Sequence, residues 1–238
     1  MPGPFSSSAR LYDLIYSHLD YDASAEYVAG VVRERNPSAS SLLDVACGTG
    51  RHLDIWRHRF DRVEGVDVDE EMLAVARDRL GDVPLHRGDF TTLDLGRTFD
   101  AVTCLFSSIG YAHTPDRLDA AIASMGRHLA PGGVLVVEPW FRRSAIDPGR
   151  VTGLVRETDD VVVARTSRMS LRGDTSELEF AYLVTTTTGS EWFTETHVAG
   201  LYDPDRYLEA ARRAGLDAEF DPVGSALGRG MLIAVARP

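Results

Sequence analysis

The sequence predicts an α/β protein built on a doubly wound, mostly parallel sheet, with an antiparallel β insertion towards its C-terminal side. Three observations predict it. Strands and helices alternate through the first 140 residues, a Gly-containing turn closes the first of those strands, and the stretch from Val151 to Leu201 changes to period-two, β-branched runs.

The run LLDVACGTG, Leu42 to Gly50, supplies the first strand. Its apolar and β-branched positions make a buried strand with Asp44 inside it, and Gly48 and Gly50 permit a sharp turn that brings a ligand up to main-chain N–H groups. A helix starting near His52 follows. A second strand, Arg62 to Val66, ends at Asp67, where a carboxylate can accept both hydroxyls of a ribose. Asp69 caps a helix with Glu70 and Glu71 in its first turn, an apolar stripe of Leu73, Ala76 and Leu80, and Gly81 as its stop. A third strand near Val83 to His86 leads to RGDF, and Phe99 to Phe106 is a continuous apolar run suited to a central strand covered on both faces. Thr114 caps and Pro115 opens a helix with Leu118, Ile122, Met125 and Leu129 on one face, and APGG breaks it before the strand VLVVE.

Beyond Trp140 the runs VVVARTSRMSL, LEFAYLVTTTT and WFTETHVAGLY, separated by RGDTS and TGS turns, argue for an antiparallel sheet serving as a lid or a dimer face. Asp203 then caps a last helix with Pro204 in its first turn and Gly215 at its end, and closing strands run near Ala218 to Val223 and Met231 to Ala236. The expected organisation is a core of residues 1–140 and 202–238 interrupted by an insertion of residues 141–201. The one linker-like stretch is the extreme N-terminus.

Composition narrows the function. The chain has 238 residues, 44% of them apolar, enough for one sizeable α/β domain with a modest insertion. A formal net charge of −11 with only 25 Lys and Arg residues gives phosphate-backbone binding little support, so nucleic acid is not expected as a partner. MPGPFSSS is not a basic stretch followed by an apolar run, and no run of about eighteen apolar residues occurs. A cytoplasmic protein without membrane association is expected. Cys47 lies in the glycine turn and Cys104 in an apolar strand, so both read as reduced and structural, with neither a disulfide framework nor a metal site.

The glycine count points to the cofactor. A pyrophosphate needs a G-x-G-x-x-G turn, but Ala46 replaces the first glycine and Leu53 the last. A ligand without phosphates is favoured. S-adenosylmethionine fits, with a ribose for Asp67, an adenine, and an amino-acid tail near the turn. The missing glycines oppose a dinucleotide-dependent oxidoreductase. A noncatalytic cofactor-binding protein is the remaining contrast, and it predicts retention of cofactor without turnover.

LLDVACGTG, GVDVDEEML, RGDF, FDAVTCLFSSIGY, LAPGGVLVVEPW and GRGMLIAV, in that order, resemble the class I S-adenosylmethionine-dependent methyltransferases. More closely they resemble the N,N-dimethyltransferases that act on thymidine-diphosphate-linked amino sugars, from YDLIY at Tyr12 onward. The first three motifs define only the cofactor, whereas FSSIGY, EPW and GRG are narrower and carry the substrate assignment. The resemblance implies a Rossmann-like class I methyltransferase fold with a seven-stranded, mostly parallel sheet. It implies mono- or dimethylation of a thymidine-diphosphate-linked amino-deoxysugar in antibiotic sugar biosynthesis. The alternative is an N- or O-methyltransferase acting on another small metabolite or aglycone.

Carried onto this sequence, the resemblance puts Asp67 on the ribose hydroxyls, followed by Val68 and Met72, and sets Asp44 and the turn of Ala46, Cys47 and Gly48 beside the methionine moiety. Asp89 and Phe90 fall at the adenine edge, and Leu105, Phe106 and Ser107 near the sulfonium. Tyr21, Ser108, Trp140 and Arg229 are expected on the acceptor. Arg229, between Gly228 and Gly230, suits bidentate contact with a diphosphate, with Arg142, Arg143 and Arg150 as secondary choices. The chain also departs from the pattern, with a short SHLD segment between Tyr16 and Tyr21, Phe141-Arg142-Arg143 after Trp140, and Tyr111 where some relatives carry histidine.

Methyl transfer from a sulfonium to an amine needs alignment above all, and a near-attack geometry can contribute on the order of 7–11 kcal/mol. No metal is needed. An alkylamine has a solution pKa of about 8–10, so a proton must leave it, to water or through a nearby Tyr or His. Tyr16, Tyr111 and His113 are the expected catalytic candidates, and an exposed antiparallel insertion suggests a homodimer.

Overall fold

The computed structural model describes residue 5, residues 7–224 and residues 228–237. The linker-like N-terminal stretch lies largely outside them. A short helix α1 (Tyr12–Ile15) and a longer α2 (Tyr21–Arg35) precede the sheet, and the Asp20 carboxylate accepts the Ala23 N–H at 2.8 Å to start α2. There follow β1 (Ser41–Val45), α3 (Arg51–Trp56), β2 (Arg62–Asp67), α4 (Glu70–Leu80) and β3 (Leu85–Arg87). The second half of the sheet uses β4 (Phe99–Cys104), α5 (Pro115–Arg127) and β5 (Leu129–Val137). Four antiparallel strands come next: β6 (Val151–Glu157), β7 (Val161–Arg172), β8 (Thr175–Thr186) and β9 (Gly189–Gly200). The chain closes with α6 (Pro204–Arg213), β10 (Asp217–Asp221) and β11 (Met231–Val235).

Seven strands form the main sheet in the order β10-β11-β5-β4-β1-β2-β3, with β11 alone running antiparallel to its neighbours, and β6 to β9 form a separate sheet. The order reverses between β1 and β4. Successive residues serve opposite faces, as period two requires. Leu42, Val134, Val136 and Ile233 pack under α2 and α3 with Val28, Val32, Leu53 and Trp56. Leu43, Leu135, Val137 and Leu232 pack on the other face with Leu118, Ile122 and Met125 of α5 and Tyr207 of α6.

The inner face of the second sheet carries a third cluster, in which Ile15 of α1 is buried among Val163, Phe180, Tyr182 and Val184. Gly110 permits the sheet's approach, since a Cβ there would stand 2.9 Å from that of Trp140 and 3.2 Å from that of Ala199. The N-terminal segment is therefore held between the second sheet and the end of the first.

Local differences from the sequence reading have physical reasons. Leu129 belongs to β5, not to the face of α5, and APGG is taken up inside that strand as an irregularity opposite Phe99 to Ala101, with Gly132 at φ 74°. The third strand begins at Leu85 because Pro84 has no N–H to donate, although its carbonyl accepts from Gly65 at 3.0 Å. Asp203 precedes α6 without a side-chain cap bond, and Leu105 and Phe106 leave β4 to form a turn.

Candidate active site

In an open doubly wound sheet the crevice for ligands lies beyond the carboxyl ends of the strands where their order reverses. Here that is the end of β1 and β4. Asp44 of β1 accepts the Thr103 hydroxyl of β4 at 2.7 Å, and burial pushes its carboxyl up to about 7. Ala46, Gly48 and Gly50 then take left-handed conformations, with φ of 60°, 56° and 76°. Asp67, at the end of β2, accepts Gly48 N–H on one oxygen and Asp69 N–H on the other, each at 2.8 Å. Each carboxylate oxygen keeps a second lone pair, so a diol can still be received. Burial pushes Asp67 up to about 6, against the opposing pull of those N–H donors.

Three connected hollows surround this turn. A cleft of about 760 Å³ is bordered by Ala46, Asp67, Val68, Met72, Asp89 and Phe90. A small pocket of about 30 Å³ is bordered by Asp44, Cys47, Gly48 and Leu105, together with Tyr21 and Arg51. A cavity of about 420 Å³ between the two sheets is bordered by Tyr16, Ser107, Trp140, Arg150, Arg165 and Arg229. Tyr12 and Ser108 border all three.

Between the small pocket and the cavity stands a strained turn. Phe106 and Ser107 both have positive φ, 47° and 62°, which L residues avoid at a cost of about 1–2 kcal/mol each. Glu138, at the end of β5, holds the turn by accepting the Phe106 N–H at 2.7 Å, and the Ser107 hydroxyl donates to the Pro139 carbonyl at 2.6 Å. Arg229 donates to Ser107 Oγ and lies over the rings of Phe141 and Trp140, 4.0 and 4.8 Å from their centroids. Burial pulls its guanidinium pKa down, with the Glu138 carboxylate opposing.

The structure distributes the sequence candidates unequally. Tyr16 and Tyr111 both border the cavity, Tyr16 accepting from Arg165 at 3.0 Å. His113 is exposed and borders the cleft instead, 3.1 Å from the Tyr111 carbonyl through its Nδ1. Tyr21 stands in the small pocket, with the Arg51 guanidinium 4.4 Å over its ring and a buried hydroxyl that has no hydrogen-bond partner among the described residues. Asp89 organises its own turn, accepting the Thr91 N–H and hydroxyl at 2.8 and 2.7 Å, and it pairs with Arg117 at 3.2 Å while facing the cleft. Arg150 borders the cavity, whereas Arg142 lies over Phe220 and Arg143 donates to the Gly173 carbonyl.

Sequence reasoning missed Arg51, Arg165, His197 and Glu195. The last three lie on the inner face of the second sheet, where period two could pair Glu195 with His197 but could not show what that face covers. It also missed how the N-terminus is fastened. Asp13 accepts the Thr49 hydroxyl at 2.8 Å and pairs with Arg79, and Glu195 accepts the Ser8 N–H and hydroxyl at 3.0 and 2.8 Å. Among the described residues no group of three or more His, Cys, Asp or Glu is placed to hold a metal ion.

Comparison with known proteins agrees with this layout. A methyltransferase domain model matches residues 42–133, the segment from β1 into β5. The dTDP-4-amino-2,3,4,6-tetradeoxy-D-glucose N,N-dimethyltransferase of Saccharopolyspora spinosa is 41% identical over 95% of this chain and 92% of its own length. The dTDP-3-amino-3,4,6-trideoxy-alpha-D-glucopyranose N,N-dimethyltransferase of Streptomyces venezuelae is 42% identical over 95% of this chain and 97% of its own. The chain belongs to this family of N,N-dimethyltransferases. The S-adenosylmethionine-bound structure of CalS10, an amino pentose methyltransferase from Micromonospora echinaspora involved in calicheamicin biosynthesis, superposes with a TM-score of 0.85 at 38% identity, covering 94% of this chain and 96% of that one.

The N,N-dimethyltransferase family uses S-adenosylmethionine, and the donor set around the glycine turn suits it. A zwitterionic amino-acid tail needs an anion for its ammonium and donors for its carboxylate. The small pocket offers Asp44 for the first, and Arg51 with the unpartnered Tyr21 hydroxyl for the second. The cleft beyond it offers Asp67 for a diol and an apolar wall of Val68, Met72 and Phe90 for a base.

Proposed function

We propose that the protein transfers methyl groups from S-adenosylmethionine to the amine of a thymidine-diphosphate-linked amino-deoxysugar, as part of antibiotic sugar biosynthesis. The observation that carries this reading is the junction at Tyr12 and Ser108, where the cofactor pocket, the nucleoside cleft and an arginine-bearing cavity meet. A donor on one side and a nucleotide-bound acceptor on the other can meet there. The two relatives named above, by their names, act on dTDP-linked amino sugars, one a 4-amino and one a 3-amino sugar.

In this reading Asp67 receives the ribose hydroxyls, Val68, Met72, Asp89 and Phe90 surround the adenine, and Asp44, Ala46, Cys47 and Gly48 surround the methionine moiety. Leu105, Phe106 and Ser107 wall off the junction. When bound, the cofactor supplies an electrophilic methyl on a sulfonium leaving group. The chain's own task is to align and to exclude water: the Phe106–Ser107 turn fixes one wall, Tyr12 and Ser108 the opening, and Tyr16 and Tyr111 the acceptor side. We assign Tyr21 to the cofactor rather than to the acceptor, and His113 to the cleft mouth. Arg229 holds the diphosphate, with Arg150 and Arg165 adding positive charge to the cavity in a protein of net charge −11.

Two further parts of the reading concern the whole molecule. Residues 141–201 act as an insertion on a core of residues 1–140 and 202–238, its inner face roofing the cavity. Its outer face carries Val155, Ala164, Leu183 and Trp192 in one row across all four strands, with Val155, Leu183 and Trp192 exposed. That row suits a homodimer contact, which sedimentation would detect. No helix among the described residues is long and apolar enough to cross a membrane. The free thiols of Cys47 and Cys104 accord with a cytoplasmic enzyme.

The deciding experiment incubates the enzyme and cofactor with a panel of thymidine-diphosphate 3-amino and 4-amino sugars and reads additions of one or two methyl groups by mass spectrometry. Arg229→Ala is expected to raise the acceptor KM at least tenfold with cofactor Kd unchanged, the order expected for a lost charge-assisted contact. Asp67→Ala is expected to do the reverse. No methylated product across the panel, or equal effects of both substitutions on both ligands, would overturn the assignment.

A further inference from the structure

A buried polar chain runs from the junction into the second sheet. The Tyr111 hydroxyl lies 2.7 Å from His197 Nδ1, and His197 Nε2 lies 3.8 Å from a Glu195 carboxylate oxygen. His197 and Glu195 are two residues apart on β9, so both side chains stand on its inner face, where they are 5% and 9% exposed. Tyr111 and His197 each border both the cleft and the cavity. The geometry fixes the direction of the chain. A carboxylate beside Nε2 favours the tautomer with its proton there, which leaves Nδ1 as an acceptor for the Tyr111 hydroxyl. Nε2 has no hydrogen-bond partner among the described residues, and only a short closure separates it from Glu195.

We propose that Tyr111, His197 and Glu195 form a proton relay that draws the departing amine proton out of the junction, with His197 as its terminal acceptor. This rests on the functional reading above. An ammonium has no lone pair, so one proton must leave the acceptor nitrogen before it attacks; the nitrogen–carbon bond then forms as the carbon–sulfur bond breaks with its electron pair going to sulfur. That proton passes to Tyr111 Oη while the tyrosine's own proton passes to His197 Nδ1. The resulting imidazolium closes on Glu195, and water takes the proton when product leaves. A second methylation needs the same nitrogen deprotonated again, so the relay operates once per methyl.

The surroundings favour a neutral tyrosine and an ionised glutamate at rest. Burial pushes the Tyr111 hydroxyl pKa up, followed by the negative fields of Tyr16, Glu195, Tyr182 and Asp67. Burial also pushes Glu195 up, but His197, Ser8 and Tyr182 outweigh it and hold the carboxyl below its ordinary value. Arg165 of β7, over the rings of Phe180 and Tyr16, is a cation on the same inner face, and the Phe5 and Phe180 rings cover His197 at 4.5 and 5.1 Å. Tyr111 is the group that would touch substrate. His197 and Glu195 act through it and are positioning residues.

The test compares pH profiles of kcat for the unsubstituted enzyme, Tyr111→Phe, His197→Gln and Ser8→Ala on an amino sugar that the enzyme turns over. Tyr111→Phe and His197→Gln are expected to lower kcat about tenfold to a hundredfold near pH 7, with both KM values changed less than threefold. The loss should shrink as pH rises, because the acceptor then loses its proton to solvent. Ser8→Ala, which removes only one donor from Glu195, should stay within twofold. Nitrogen-15 spectra of imidazole-labelled enzyme should show an unprotonated Nδ1 at His197 whose signal moves in Tyr111→Phe. A pH-independent fall in kcat, a fall shared with KM, or an Nδ1–H tautomer would overturn the relay while leaving the functional reading intact. Absence of turnover by the unsubstituted enzyme on every amino sugar would overturn the functional reading and the relay with it.

Discussion

Leu53 of α3 lies directly over Gly65 of β2, so that a Cβ built at position 65 would stand 2.6 Å from Leu53 Cδ1. Dinucleotide sites obtain close helix-to-sheet packing from a glycine on the helix. In this chain the helix carries Leu53 at that place, and the space is conceded by the neighbouring strand.

Gly65→Ala is therefore expected to destabilise the fold by about 1–3 kcal/mol, the usual cost of overpacking, since Leu85 Cδ2 and Cys47 Sγ also stand 2.7 and 2.9 Å from the added carbon. Thermal denaturation in a double-mutant cycle with Leu53→Ala should show the two losses to be less than additive. Strict additivity would mean that the contact does not set the packing.

Cofactor affinity should depend on pH with a definite sign. The carboxyls of Asp44 and Asp67 are raised by burial to about 7 and about 6, and an ammonium and a diol both favour their ionised forms. Below these values the free enzyme holds protons that binding must expel. Calorimetric Kd should worsen about tenfold per pH unit below pH 6 for each linked proton and level off above pH 7.5. In the ligand-free protein the same two groups stabilise the fold when protonated. Their contribution is complete below about pH 4, the unfolded-chain value, and is lost as pH rises through 6 to 7. The cofactor-induced rise in Tm should thus grow over that window, and Asp44→Asn should flatten it. A pH-independent Kd from 5.5 to 8 would contradict the pairing of these carboxylates with the ligand.

Asp13 ties α1 to the glycine turn through Thr49 and Arg79, and Tyr12 beside it borders all three hollows. If this tie keeps the N-terminal segment over the cofactor, Asp13→Asn should speed cofactor release about fivefold, the equivalent of the ~1 kcal/mol of a part-buried hydrogen bond to a charged group. Stopped-flow displacement reads the rate, and proteolysis of the segment should quicken with it. Unchanged release would assign the tie to stability alone.

Most of the architecture around the glycine turn was legible in the residue string because its determinants are local. The turn after β1, the carboxylate ending β2 and the caps at Asp69 and Thr114 depend on residues within a few positions of one another. Short-range errors, such as Leu129 on α5 or the start of β3, arose where a proline or a bulge overrode periodicity. The cavity between the two sheets was far less legible. Tyr111 meets His197 across 86 positions, Arg229 meets Ser107 across 122, and Ser8 meets Glu195 across 187.

By itself the sequence determined the α/β order of elements, the antiparallel insertion, the glycine turn after the first strand and the place of Asp67 at the end of the second, since strand period, helix caps and backbone sterics act over neighbouring residues. Only the tertiary structure decided that Tyr21 stands in the small pocket beside the glycine turn, that His113 stays outside the cavity, and that a histidine of the second sheet reaches Tyr111 with a glutamate beside it. Those placements follow from how one sheet seats on another, and side-chain contact across that seat is fixed by packing of the whole molecule rather than by any stretch of it.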